Sequence, residues 1–102
     1  MSGNPLLKGL KATHPGEFLR EDILPALGIP KTEVAKRLGI SRAMLYAILD
    51  ESAPVSPAMA LRLGKLLRTT PESWLNMQRD YDLRMLEKEM SKELNKIDPV
   101  AA

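Results

Sequence analysis

Glu33 to Asp50 reads EVAKRLGISRAMLYAILD, two short amphipathic segments joined at a single glycine. Glycine takes a left-handed backbone without steric cost, so Gly39 marks the end of one helix and a sharp change of direction. Val34, Ala35 and Leu38 share one side of the first segment, and Leu45, Ile48 and Leu49 one side of the second, at helical spacing. Ser41 is a natural N-cap for the second segment, and Ile40 is expected to be buried in the turn. The pattern predicts helices over about 31–38 and 42–49 that cross steeply where Ala35 is small.

The rest of the chain is punctuated for helices too. His14-Pro15, Ser56-Pro57 and Thr70-Pro71 each place a proline just inside a helix start, where its missing N–H is not needed. In the first of these helices Leu19, Ile23 and Leu27 make a stripe with Phe18 beside it. Pro25 is expected to stop or kink that helix near Leu24, and Gly28 to close it. A helix over about 57–67 is expected to bury Met59, Leu63, Leu66 and Leu67. From Pro71 no breaker occurs until Pro99. Hydrophobic residues are 44% of the chain but aromatics only 4%, which suits helices rather than a β-sandwich. The expected fold is all-α, a five-helix bundle with a long C-terminal helix and one core. Residues 1–13 are expected to be a flexible N-terminal segment, 14–86 the domain, and 87–102 a helix extension and tail that frays when alone.

There are no cysteines, which removes disulfides and thiolate chemistry and suits a cytoplasmic location. The N-terminus lacks an apolar h-region and no 18-residue apolar run occurs, so neither a signal peptide nor a membrane partner is expected. His14 is the single histidine and reads as a cap or packing residue of the first helix. With no second histidine or cysteine to join it, no catalytic residue, metal site or cofactor is expected. Glu87, Glu89 and Glu93 lie among Lys88, Lys92 and Lys96 and read as a solvated face with i,i+4 pairs. Charge is uneven. Lys31, Lys36, Arg37, Arg42, Arg62, Lys65 and Arg68 face only Glu33, Asp50 and Glu51 over residues 31–68, so the middle of the chain favours a polyanion.

With the aliphatic residues pinned inside, the second of the glycine-jointed helices presents Ser41, Arg42, Ala43, Tyr46, Ala47 and Asp50 outward. That is a helix-turn-helix layout, with one helix across the phosphates and the next in a groove. The major groove of B-DNA is about 12 Å wide, so a helix within it cannot carry long side chains all round. Ala43 and Ala47 permit close approach, Arg42 can donate two hydrogen bonds to guanine, and Tyr46 can reach a sugar or phosphate. Lys31 and the amides at the start of its helix suit a phosphate. The same features also fit a packed helix pair that binds nothing nucleic.

EVAKRLGIS matches the helix, glycine turn and serine cap of Cro/C1-type (XRE) repressor domains. HPGEFLREDILPALGI, SPAMALRLGKLL and TTPESWLNMQRDYDL resemble HigA-type (VapI-like) antitoxins, over about residues 14–86. The resemblance implies a dimer that represses its own operon and a partner toxin of the RelE/HigB-like, mRNA-cleaving class. It carries Lys31 onto a phosphate-contact position, and Arg42, Ala43 and Ala47 onto base-reading positions beside Ser41 and Tyr46. Asp50-Glu51 stands where the family usually has Asn-Gly, and two acids there are expected to weaken DNA binding.

In the last helix Trp74, Met77 and Tyr81 lie on one side, and Leu83, Leu86, Met90, Leu94 and Ile97 continue the stripe. A homodimer through Trp74, Met77, Tyr81, Leu83 and Leu86 would cover it and space two reading helices about 34 Å apart, as a palindromic operator on double-stranded DNA requires. Alternatives are a solitary regulator without a toxin, and a protein-interaction module that has lost its DNA.

Overall fold

A computed structural model of the chain describes residues 12–101. Its helices, numbered in chain order, are α1 (the consecutive pieces Pro15–Phe18, Leu19–Ile23 and Leu24–Leu27), α2 (Lys31–Leu38), α3 (Arg42–Leu49), α4 (Pro57–Leu67), α5 (Pro71–Glu89) and α6 (Ser91–Asn95). The fold is all-helical, as the patterning predicts, and none of these helices is long and apolar enough to cross a membrane. Most of the expected segment 1–13 lies outside the described residues.

The helix starts follow from their caps. Ser41, Ser56 and Thr70 hydroxyls accept from the backbone N–H groups of Met44, Met59 and Ser73 at 3.0, 3.2 and 3.3 Å. Gly28 and Gly39 end α1 and α2 with φ of 68° and 74°. Val34, Ala35 and Leu38 of α2 and Leu45, Ile48 and Leu49 of α3 meet in the core with Met59, Ala60 and Leu63 of α4. Leu66, Leu67 and Ile40 are only partly buried at its edge.

Helix α1 departs from expectation. It neither stops nor breaks at Pro25 but passes it through a π-helical turn, Leu19–Ile23, in which the Leu24 N–H reaches the Leu19 carbonyl. A proline has no N–H to give and its ring collides with the carbonyl four residues back, and one wider turn relieves that collision. The extra residue shifts the buried register from the expected Ile23 to Leu24. Leu19 and Leu24 are therefore 2% and 8% exposed, whereas Ile23 is half-buried and Leu27 is 39% exposed.

The first half of α5 closes the core. Trp74 is 2% exposed, tilts against Phe18 with ring centroids 5.9 Å apart, and donates from Nε1 to the Thr69 hydroxyl at 2.8 Å. Gln78 accepts the Val55 N–H at 2.8 Å and so pins the loop after α3. His14 is buried, accepts the Gly16 N–H on Nδ1 at 2.9 Å, and meets Tyr81 edge-on at 5.0 Å. From Asp82 on, every described residue is exposed, and the chain extends 53 Å along its long axis. At Met90 the helix breaks briefly (φ −98°, ψ 11°) although no proline or glycine stands there. The i,i+4 pairs expected around Glu87, Glu89 and Glu93 do not form; the ion pairs among the described residues lie elsewhere.

Two outcomes follow. A Cβ on Gly16 would lie 1.8 Å from the Ile48 carbonyl oxygen, whereas one on Gly28 meets nothing within 4 Å. Gly16→Ala should therefore cost about 2–3 kcal/mol by forced displacement of α1 from α3. Gly28→Ala should cost about 1 kcal/mol, from its left-handed backbone alone. Urea unfolding of both variants checks the order. Burial, outweighing the pull of Glu51 and Asp82, holds the His14 imidazole below its ordinary value of 6.5. The unfolded chain takes up a proton near that value while the folded one resists. Stability is thus full above pH 6.5 and declines as pH falls through that value toward the lower folded one. The urea midpoint should drop between pH 7.5 and 5, and His14→Asn should flatten that dependence; an unchanged slope in the variant would count against it.

Candidate nucleic-acid interface

Helix α3 is held from behind by Leu45, Ile48 and Leu49, which are 2%, 1% and 3% exposed. A helix turns about 100° per residue, so Ala43 and Ala47 fall opposite Leu45 and form its outer crest. Ala43 is exposed and Ala47 half-buried. Arg42 is exposed in the first turn, and Tyr46 stands on one flank at 46% exposure. Met44, 45% exposed, stands on the other flank and was missing from the outward set read off the sequence. Its place is legible from helical geometry, but an apolar residue among aliphatic neighbours reads as core until the inward direction is fixed.

Lys31 opens α2, and its Nζ lies 5.8 Å from the centre of the Tyr46 ring. The two expected contacts are thus one feature, an ammonium resting over an aromatic face at the edge of the crest. Pro30 gives α2 no side-chain cap, which leaves first-turn amides to an outside acceptor. Ser41 spends its hydroxyl on the Met44 N–H, so it acts as the cap of α3.

The two acids after α3 behave differently from each other. Glu51 takes a left-handed backbone (φ 69°) at the position where glycine is usual in the resembled family. Its carboxylate turns to Arg20, 3.4 Å from Nη1, while Arg20 also donates to the Leu49 carbonyl. Asp50 stays exposed and accepts the Ser52 N–H at 3.0 Å, and hydrogen bonds from Ser52 hold its carboxyl below the usual range. One of the two negative charges expected to oppose DNA is therefore met within the chain.

Several cations are likewise engaged. Arg37 pairs with Glu33 at 2.9 Å. Arg62 of α4 donates from Nη1 to the Leu38 and Gly39 carbonyls at 2.7 and 3.4 Å, closing the C-terminus of α2. That clamp is invisible in sequence, where Arg62 counts only as positive charge.

The expected dimer residues separate. Trp74 is core and is not available to a second copy, which corrects its assignment to the interface. Met77 and Tyr81 are half-buried against the chain's own α1 side, while Leu83 and Leu86 stand 51% and 46% exposed.

Residues 19–75 match the helix-turn-helix family. The chain is 37% identical to virulence-associated protein I of Dichelobacter nodosus over 92 residues, 90% of this chain and 84% of that one. It shares the fold of the Pseudomonas aeruginosa antitoxin HigA, solved with the higBA promoter, at TM-score 0.84 and 30% identity over 89% of this chain and all of that one. It is equally similar to the antitoxin GraA in complex with its operator, at TM-score 0.84 and 39% identity over 92% of this chain and 96% of that one. With the glycine joint, the caps and the crest in register, this chain belongs to the helix-turn-helix family, among folds similar to the HigA-type antitoxins.

Proposed function

We propose that this protein is a dimeric repressor that lays α3 in the major groove of a palindromic operator in its own promoter. The observation that carries this reading is the outer side of α3: two alanines at its apex, an exposed Arg42 in its first turn on the same flank as Tyr46, and Lys31 stacked over Tyr46. Small residues at the apex let the helix sink between the strands, Arg42 specifies a base, and Lys31 with the α2 amides holds a phosphate. The HigA and GraA structures, solved with promoter or operator DNA, support DNA as the partner.

The dimer would form through the exposed apolar residues of α5 and of the chain beyond it, Leu83, Leu86, Met90, Leu94 and Ile97, because Met77 and Tyr81 face the chain's own first helix on the opposite side of α5. In the antitoxin reading, the protein also neutralises a RelE/HigB-like toxin by forming a complex with it, through this C-terminal surface or through the residues before α1. The antitoxin names of its structural relatives support that role. A solitary regulator would share the DNA face and lack the second activity.

Gel-shift titration against the chain's own upstream DNA and against random duplex, at two salt concentrations, tests the reading. Arg42→Ala should lower discrimination at one base pair by roughly 1–3 kcal/mol, and Lys31→Ala should weaken all sequences alike and flatten the salt dependence. Equal losses on both DNAs for both variants would reverse the role assignment, and no shift even at low salt would leave a protein-interaction module. For the stripe, Leu83→Glu with Leu86→Glu should convert a dimer to a monomer by light scattering, keep the helical signal of the head, and abolish tight operator binding. A dimer that survives both changes would remove α5 from the interface.

A further inference from the structure

The C-terminal end of α2 and the part of α4 from Leu61 onward border an open groove of about 620 Å3. Its apolar lining is Leu38, Leu61 and Leu66, and its cationic lining is Arg37, Arg62, Lys65 and Arg68. Leu61 is 63% exposed, a large aliphatic side chain in the open on the outer face of a helix that otherwise packs the core. No Asp or Glu occurs from Ser52 to Thr70, so α4 has none of the mixed charge of an ordinary solvated helix. Arg37 and Arg62 have partners within the chain, but Lys65 and Arg68 make no ion pair among the described residues.

Arg68 adds a second, independent observation. It caps α4 in the left-handed region, φ 57° and ψ 44°, a position that glycine fills without strain. Its guanidinium is exposed, and no hydrogen bond or ion pair of the described residues engages it, so its charge is open to an outside acceptor.

We propose that this groove is a docking site for a segment of another protein that carries acidic side chains around an aliphatic anchor. The anchor would sit on Leu61 and Leu66, and the carboxylates would meet Lys65 and Arg68. The exposed leucine favours such a segment over a phosphate backbone, which has no apolar group to cover it. The proposal stands independently of operator binding.

The test uses the full chain, with a fluorescent synthetic helical peptide of alternating Glu and Leu pairs as probe and a polyglutamate peptide and a random DNA duplex as competitors. The Glu/Leu peptide should bind saturably at one per chain, with amide shifts confined to the ends of α2 and α4. Leu61→Ser and Lys65→Glu should each weaken it about ten-fold and leave operator binding unchanged. Arg68→Gly should weaken it similarly while raising the thermal unfolding midpoint, because it relieves the left-handed arginine. Competition by polyglutamate as strong as by the unlabelled Glu/Leu peptide would reduce the site to bare charge and overturn the proposal. So would displacement by duplex DNA with the same dependence on Arg68, which would make the groove a phosphate contact. A fall in the unfolding midpoint of Arg68→Gly would show that Arg68 serves the fold itself.

Discussion

The head of this protein depends on how α2 ends. At Gly39 the backbone turns left-handed, the Gly39 and Ile40 N–H groups close back on Lys36 and Ala35, and the Arg62 guanidinium gathers the Leu38 and Gly39 carbonyls. Helix C-termini leave carbonyls without partners, and a buried orphan is costly. Here a cation from α4 meets them, which both satisfies the carbonyls and complements the negative end of the α2 dipole. The same contact ties α4 to the angle between α2 and α3. A small error in that angle would move the Ala43–Ala47 crest and Tyr46 away from Lys31, so the reading surface inherits its precision from a bond on the far side of the turn.

A second set of ties fixes α3 from its other end. Gly16 lies against the Ile48 carbonyl, Arg20 reaches the Leu49 carbonyl and Glu51, and Gln78 holds Val55. Helix α3 thus packs chiefly on α2 and α1, while Gln78 of α5 holds the loop that follows it. His14 belongs to this brace, since its cap on α1 and its edge on Tyr81 join the start of the fold to the middle of α5.

What the sequence discloses here is what local chemistry decides. Ser41, Ser56 and Thr70 announce helix starts because a side-chain cap acts within three residues, and Gly28 and Gly39 announce ends because left-handed φ selects glycine. The leucines of α3 point inward at a spacing that can be counted. Hidden are the features that depend on neighbours distant in sequence. The π-turn arises from a compromise between Pro25 and the core. Trp74 taken alone reads as core, and only its place on the long apolar stripe draws it into the interface set until Phe18 and Thr69 are seen around it. Glu51 reads as a repulsive charge until Arg20 is seen to meet it, and Met44 reads as core until the inward direction of α3 is known. The break at Met90 has no local signal and no physical account in the contacts around it.

The widened turn in α1 has a consequence for length variation in the chain. One residue more than a regular helix requires lies between Leu19 and Leu24, and both of those side chains are nonetheless buried. Loss of a single residue from Arg20–Ile23, with Pro25 exchanged for a helix former, would close the turn to ordinary α geometry and leave both leucines on the same face. The same loss elsewhere in α1 would rotate everything beyond it by about 100° and turn apolar groups to solvent. The first helix therefore has one tolerant interval for deletion, bounded by rigid ones, and homologous chains of different length can share this head without repacking it.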